Sequence, residues 1–268
     1  MMNNPQKILH VALVQSDIIP DRVEDNLANY KKQLQNLTGG VNLIIFPELF
    51  NCGISPKFAE CAEQMDGISI RFLQEVASKF NADVVASLPV QEDKAVVNRL
   101  VWVTPEGVKG HYDKRHLFFG DEQQVCDPGQ QRLVIERFGW KILPLICFDI
   151  RFPVWCRNAC VNKQFDYDIL LLIANFPEQR IEVLRTLAKA RAIENQAYVL
   201  VVNRFGKDGN ENPHNGNSMV ISPLGKVMAQ APINEFAILK AELDMTFLHR
   251  IRNKFPVAEQ WDSFSVLK

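Results

Sequence analysis

Three stretches of the sequence put groups capable of acyl chemistry where an apolar run stops. In Leu43-Ile44-Ile45-Phe46-Pro47-Glu48-Leu49-Phe50 a carboxylate stands between aliphatic and aromatic neighbours. Desolvation there would raise its pKa toward the range of a general base. In Leu143-Pro144-Leu145-Ile146-Cys147-Phe148-Asp149-Ile150-Arg151-Phe152-Pro153 a thiol occupies a strand-to-helix turn, where helix-terminal amides favour a thiolate and can bind an oxyanion. In Tyr112-Asp113-Lys114-Arg115-His116-Leu117-Phe118-Phe119-Gly120-Asp121-Glu122 a basic triplet is mixed with aromatic residues. The Lys114 ammonium is a point charge suited to a developing oxyanion, or to an ion pair that sets the protonation of a carboxylate such as Glu48. Read alone, each stretch also fits an ordinary role: a carboxylate capping a loop, a cysteine buried as a small hydrophobe, a solvated basic turn. Cys156 and Cys160 keep that ordinary reading.

These groups need a frame, and the hydrophobic pattern supplies one. Strand-length apolar runs are predicted at Ile8 to Val14, Leu43 to Phe46, Asp83 to Pro89, Asn98 to Val103 and Gly107 to Tyr112. Further on they recur at Leu133 to Glu136, Trp140 to Ile146, Ile169 to Ile173, Tyr198 to Val202, Ser218 to Ser222, Val227 to Gln230 and Phe236 to Glu242. Helical spacing of three and four marks Glu24 to Leu37, Ile70 to Phe80 and Glu182 to Gln196, and Met245 to Asn253 reads as a last helix. Turns are expected at Thr104-Pro105-Glu106-Gly107, Arg137-Phe138-Gly139 and Pro223-Leu224-Gly225-Lys226. No linker interrupts the series, so one domain over 1–268 is expected. Sheets this apolar need cover on both sides, which predicts an α/β layered sandwich.

Composition narrows the chemistry. The 268 residues are 47% hydrophobic and 23% charged, with 30 basic against 31 acidic side chains, so no global field is available to hold nucleic acid or an anionic membrane surface. No apolar run reaches spanning length and no signal-peptide core follows the amino terminus, so the chain is expected in the cytoplasm, with no membrane partner. Six cysteines without a C-x-x-C pair read as thiols, not as a disulfide scaffold. The five histidines lack ligand spacing, so no metal is expected. No G-x-S-x-G elbow, P-loop or G-x-G-x-x-G is present, which sets aside the usual serine hydrolases and nucleotide chemistry. A small molecule or a second subunit is the expected partner.

In combination the stretches say more. Phe46-Pro47-Glu48, Lys114-Arg115-His116-Leu117-Phe118 and Cys147 to Pro153, in that order, resemble the Glu-Lys-Cys triad of the nitrilase (carbon-nitrogen hydrolase) superfamily. The likeness continues through Ala190-Arg191-Ala192-Ile193-Glu194-Asn195-Gln196 and through Gly216-Asn217-Ser218 with its Pro223-Leu224-Gly225 hairpin, over about residues 7 to 260. Within the superfamily, Tyr112 to Phe118, Cys147 to Trp155 and Ala174-Asn175-Phe176-Pro177 are most similar to the ω-amidase branch, the bacterial 2-oxoglutaramate or 2-oxosuccinamate amidases. The sequence departs from that pattern at Phe176, where relatives often carry tryptophan, and at Phe148, where they often carry tyrosine.

The resemblance implies a four-layer αββα sandwich of two mixed sheets with helices on both outer faces, paired into a homodimer. It implies Glu48 as general base and acid, Cys147 as nucleophile and Lys114 with the Phe148 backbone N–H as oxyanion donors, through a cysteine thioester and without a cofactor. Glu122 would be a second carboxylate helping to position Lys114 or the substrate, with a solvated loop role as its alternative. Selecting a substrate with a distal carboxylate needs a cation and an apolar wall, for which Arg151, Arg204, Phe118 and Phe176 are candidates. Arg191, Glu194 and Asn195, at helical spacing, read as structural. The alternatives are another amidase of the superfamily, acting on N-carbamoyl or short aliphatic amides, and a catalytically silent scaffold. The implied metabolic place is metabolite repair after glutamine transamination. The C-terminal tail, 255–268, carries Trp261 and Phe264, which would reach a partner subunit or dock on their own core.

Overall fold

A computed structural model describes residues 7–93 and 95–264. The strands of the two large sheets, in chain order, are β1 (Ile8–Gln15), β2 (Leu43–Ile45), β3 (Asp83–Glu92), β4 (Ala95–Thr104), β5 (Gly107–Asp113) and β6 (Ile135–Arg137). They continue as β7 (Trp140–Ile146), β8 (Ile169–Ala174), β9 (Tyr198–Asn203), β10 (Met219–Ile221), β11 (Val227–Gln230) and β12 (Ala237–Asp244). The longer helices are α1 (Val23–Gln33), α2 (Ile68–Phe80), α3 (Ile181–Asn195) and α4 (Met245–Lys254). The first sheet has the order β12-β1-β2-β3-β4-β5 and the second β11-β10-β9-β8-β7-β6. In each, a parallel centre (β1-β2-β3, β7-β8-β9) is flanked by antiparallel strands.

Alternation along the strands of the first sheet shows why it is buried twice. Leu9, Val11 and Leu13 of β1, with Leu100 and Trp102 of β4, face the core shared with the second sheet. Ala12 and Val14 of β1, with Val97, Val101 and Val103 of β4, face a separate core closed by Tyr30 of α1 and Ile70, Leu73 and Val76 of α2. Because side chains alternate with period two, one strand serves two layers. On the second sheet the outer cover is α3, which presents Leu184, Ala188 and Ala192. The small residues let the helix lie close to the sheet. The result is the αββα order the resemblance implies.

Helix ends follow local chemistry. Asp244 caps α4 by accepting from Thr246 N at 2.8 Å, and Asn81 ends α2 in the left-handed region at φ 49°. The expected turn Arg137-Phe138-Gly139 is shorter in the structure: Arg137 pairs with Trp140, leaving Phe138 and Gly139, both at positive φ (57° and 81°), as a two-residue turn. That geometry suits the twist of a hairpin. It also shifts β6 to start at Ile135, two residues later than the apolar run suggests. Trp261 of the tail docks on its own chain, edge-on to Phe165 and under the Arg157 guanidinium, while residues 265–268 lie outside the described residues. Among the described residues no helix is long and apolar enough to cross a membrane.

The sheets are tied together by a buried carboxylate. Asp83 at the start of β3 accepts from Trp102 Nε1 at 2.7 Å and from Arg137 of β6 at 2.7 and 2.8 Å. Asp83→Ala would leave the indole N–H buried without a partner and the part-exposed guanidinium unpaired. The expected loss is about 2 kcal/mol. A lowered urea midpoint at unchanged m-value would show it, and an unchanged midpoint would refute it.

Candidate active site

Glu48, Lys114 and Cys147 each lie just beyond the carboxyl end of a strand, β2, β5 and β7 respectively, where crevices open in α/β sheets. The Glu48 turn is pinned to β3: Leu49 N donates to Ser87 Oγ and Phe50 N to Ser87 O, both at 2.9 Å. Lys114 prolongs the pairing of β5 with β4, its N–H bonding Asn98 O at 3.0 Å. Its ammonium then reaches Glu48 Oε1 at 2.8 Å and both oxygens of Glu122, at 3.0 and 2.7 Å. Asn98 Nδ2 bridges the same two carboxylates, 3.0 Å from Glu48 and 2.8 Å from Glu122. Phe118 N adds a third type of donor to Glu122, at 2.7 Å. The solvated alternative for Glu122 does not hold, since the short helix Asp121–Val125 buries it.

The thiol completes the cluster. Cys147 stands beside Glu48 and the backbone of Asn175 in the lining of one cavity. Burial and the neighbouring Glu48 push its thiol well above the ordinary range, against the pull of Lys114. Burial also raises Glu48, with Glu122 adding to the rise and Lys114 opposing it. For Lys114 burial alone would lower the pKa, but Glu122 and Glu48 outweigh it and hold the ammonium charged. The resting state is therefore a neutral thiol beside a carboxylate that can take its proton, next to a fixed cation.

Cys147 sits at φ 42°, a left-handed conformation that L side chains rarely adopt. Asp149, fully buried two residues on, over-determines the turn. Its Oδ1 accepts from His116 N at 3.0 Å and lies 2.8 Å from His116 Nδ1, while its Oδ2 accepts from Tyr112 OH at 2.7 Å and Ile146 N at 3.1 Å. One carboxylate thus joins the Cys147 turn to the segment that carries Lys114. From the other side, the Arg191 guanidinium of α3 donates to Ile150 O and pairs with Glu194, and Asn195 accepts from Asn158 N. These are the structural roles expected of Arg191, Glu194 and Asn195.

Above the cluster is a cavity of about 210 Å³, walled by Phe118, Phe119, Phe148 and Phe176 and by Arg151, Arg180 and His214, with Glu48, Lys114, Glu122, Cys147 and Asn175 in its lining. Such a volume suits a small acyclic molecule. Arg151 lies near the rings of Phe148 and Phe176, and Arg180 lies over Phe118. Among the described residues neither guanidinium has a carboxylate partner. The wall also carries Asp121 and Asp208, the latter already engaged by Asn210 N and by the N–H groups of Asn212.

Of the expected wall residues, Phe118, Arg151 and Phe176 line the cavity and Arg204 does not. Its guanidinium is buried elsewhere, donating to Asp17 and to the carbonyls of Ile18, Phe205 and Lys207. Arg204 follows β9, and its side chain ties neighbouring loops instead of turning inward. Sequence reasoning gave no role to Asn98, Asp149, Asn175, Arg180 or His214. Asn98 carried a signal, a carboxamide in an apolar strand pattern. His214, whose burial lowers its pKa to about 4 with Arg204 adding to the shift, carried none. Among the described residues no group of three His, Cys, Asp or Glu could hold a metal ion.

Residues 10–253 match the family described as carbon-nitrogen hydrolase. The chain belongs to that family. It is 38% identical over 257 residues to omega-amidase YafV of Escherichia coli, covering 96% of this chain and 98% of the relative. It is 30% identical over 251 residues to a 2-oxoglutaramate amidase of Bacillus subtilis, covering 92% and 95%. Among solved structures it resembles XC1258 from Xanthomonas campestris, a CN-hydrolase superfamily protein with an arsenic adduct in the active site. That likeness has a TM-score of 0.94 at 36% identity over 97% of this chain and 99% of the other. Nit3 of Saccharomyces cerevisiae gives 0.81 at 25% identity over 94% and 95%.

Asp149→Asn would replace an acceptor oxygen by an amide that faces donors. The turn should lose about 3 kcal/mol of stability and ammonia release should fall at least about 100-fold as Cys147 leaves its strained conformation. Thermal unfolding and amidase assays on one preparation check both. Full activity in the variant would refute the positioning role.

Proposed function

We propose that this hydrolase is an ω-amidase, converting 2-oxoglutaramate or 2-oxosuccinamate and water to the dicarboxylic 2-oxo acid and ammonia. The observation that carries the reading is the cavity itself. A thiol, a carboxylate and an ammonium meet at its floor, unpaired guanidinium groups stand on its wall, and near-full-length likeness to ω-amidases accompanies them. A substrate with an amide at one end and a carboxylate at the other matches that polarity.

In this mechanism Glu48 takes the Cys147 proton and the thiolate attacks the terminal amide carbon. The oxyanion is held by the Lys114 ammonium and the Phe148 backbone N–H, one of the leading amides of the turn Cys147–Arg151, which have no partner within it. Collapse expels ammonia with the proton from Glu48 and leaves a thioester. Water, deprotonated by Glu48, attacks the thioester, and the returning proton restores the thiol. Glu122 and Asn98 act as positioning residues for Lys114 and Glu48. Arg151, with Phe118 and Phe176 as apolar wall, receives the distal carboxylate. The steps need no cofactor and no metal.

The whole chain acts as one hydrolase unit in the cytoplasm, in metabolite repair of the amide left when glutamine loses its amino group. Pairing into a homodimer is supported by exposed apolar side chains such as Ile193 on α3, which packs beside Gly225, and Leu224 next to it. Sedimentation at micromolar concentration would show a dimer, and a monomer there would remove this part of the reading.

Cys147→Ala should lower ammonia release from 2-oxoglutaramate by at least about 10³-fold, in a panel with glutamine, asparagine, a carbamoyl amino acid and a simple nitrile. Activity surviving the substitution overturns the covalent route. Cys147-dependent turnover confined to another amide moves the protein to another branch of the family. The pH profile is also determined. Glu48 must be ionised to accept the thiol proton, and its pKa is raised, so kcat/KM should fall on the acid side at a pH above the usual carboxylate range. An acid limb at or below that range would contradict Glu48 as the base.

A further inference from the structure

The turn that carries Glu48 runs directly into a second pair of reactive groups, which amide hydrolysis leaves unused. Cys52 is fully buried, and Cys61, at the end of the short helical turn Phe58–Cys61, is only partly covered. The two cysteines share a small apolar nest with Leu49, Phe58 and Cys126 that lies apart from the main cores, Cys52 inside it and Cys61 packed against it, and the Cys52 thiol donates to Gly53 O at 3.4 Å. On its other side Cys61 opens to a surface groove lined by residues 21–25, 60–64, 66–68 and 71. The neighbouring Cys52 lowers the Cys61 thiol below its ordinary value despite burial and the nearby carboxylates of Asp21, Glu60 and Glu63. Burial pushes the Cys52 thiol well up. A reachable thiol at the groove, backed by a second, buried thiol in the same nest, is the arrangement of an attacking and a resolving cysteine.

We propose that Cys52 and Cys61 form a reversible redox site that reacts with hydrogen peroxide. The Cys61 thiolate attacks one peroxide oxygen, the O–O bond breaks, and a proton completes the first water, leaving Cys61 as a sulfenic acid. The Cys52 sulfur then attacks the Cys61 sulfur, forming the S–S bond and expelling the sulfenic oxygen, which leaves as a second water with the Cys52 proton. Two thiols are oxidised by two electrons and one peroxide is reduced to two waters. An added dithiol reverses the bond by exchange.

The bond would be felt in the amidase cavity, a consequence that rests on the function proposed above. The strapped segment contains Ile54, which lines the cavity, and Ile54 O accepts from Gly209 N at 2.9 Å, supporting the loop that carries Asp208, Asn210 and Asn212. Ser55 Oγ anchors the same segment to Asp21 at 2.5 Å. Cross-linking should therefore change how the wall closes on substrate and move KM more than kcat.

Chemistry is tested first, without any activity readout. In the reduced full-length chain, iodoacetamide should label Cys61 about tenfold faster than Cys126 or Cys156. In the Cys147→Ala variant, which removes oxidation of the catalytic thiol, stoichiometric hydrogen peroxide should yield a peptide pair joined through Cys52 and Cys61, two hydrogens lighter and separated by dithiothreitol. Cys61→Ser should abolish it, and Cys52→Ser, if it folds, should leave a sulfenic acid on Cys61 that dimedone captures. Labelling of Cys61 no faster than the buried cysteines, or its oxidation to sulfinic acid with Cys52 still a thiol, would overturn the proposal. For the cavity, a KM change on oxidation that dithiothreitol reverses and Cys61→Ser lacks is expected. A disulfide that forms while KM stays constant would refute the coupling, and equal losses in wild type and Cys61→Ser would assign them to Cys147. A protein inactive on every amide would refute the amidase reading and leave the disulfide mapping intact.

Discussion

Two carboxylates and one ammonium buried together are the constraint to which the rest of this structure answers. Glu48, Glu122 and Lys114 are each about 1% exposed, and removing such charges from water costs several kcal/mol per ion unless attraction and hydrogen bonds offset it. The compensation is visible bond by bond. The Lys114 ammonium reaches three carboxylate oxygens, two of them on Glu122, Asn98 gives both its amide hydrogens to the same carboxylates, and the Phe118 N–H completes Glu122. Burial is the main reason the Glu48 pKa stays high although an ammonium touches it, and with two anions to one cation the charge of Glu122 adds to the rise. Burial, with the charge of Glu48 added, likewise keeps the Cys147 thiol protonated at rest, and in the proposed mechanism Glu48 must accept its proton before it can attack.

A second constraint is conformational. The left-handed φ of Cys147 is held from three directions: by Asp149 through the segment after β5, by Arg191 through Ile150 O, and by the packing of Trp155 and Tyr112, whose indole N–H and hydroxyl are themselves bonded at 3.0 Å. Strain of about 1–3 kcal/mol persists at such a residue only where surroundings fix it. Asp149 couples the two constraints, because it grips the Cys147 turn with one oxygen and the backbone of His116 with the other. Lys114 and Cys147 come from different sheets, yet a single carboxylate sets their relative position.

Apolar pattern and turn chemistry determined much of this protein before any folding in space was considered. The strand and helix order, the antiparallel flanks and the two-layer burial of the sheets follow from side-chain period, and Glu48, Cys147 and Lys114 were visible because each stands where an apolar run ends. Boundaries that depend on a partner were not visible: β6 begins at Ile135 and its turn is two residues long because β7 sets the register.

Tertiary structure alone decided which polar side chains turn inward. Asn98 and Asp149 lie far along the chain from the groups they bridge, and Arg204, an equally plausible cation by type, is drawn away to Asp17 and loop carbonyls while Arg151 and Arg180 face the cavity. The physical reason is range. Periodicity and capping act over a few residues and are written in the sequence, whereas the charge state of a buried group depends on neighbours far along the chain, 66 residues away for Lys114 and Glu48, and is set only once the chain has folded around it.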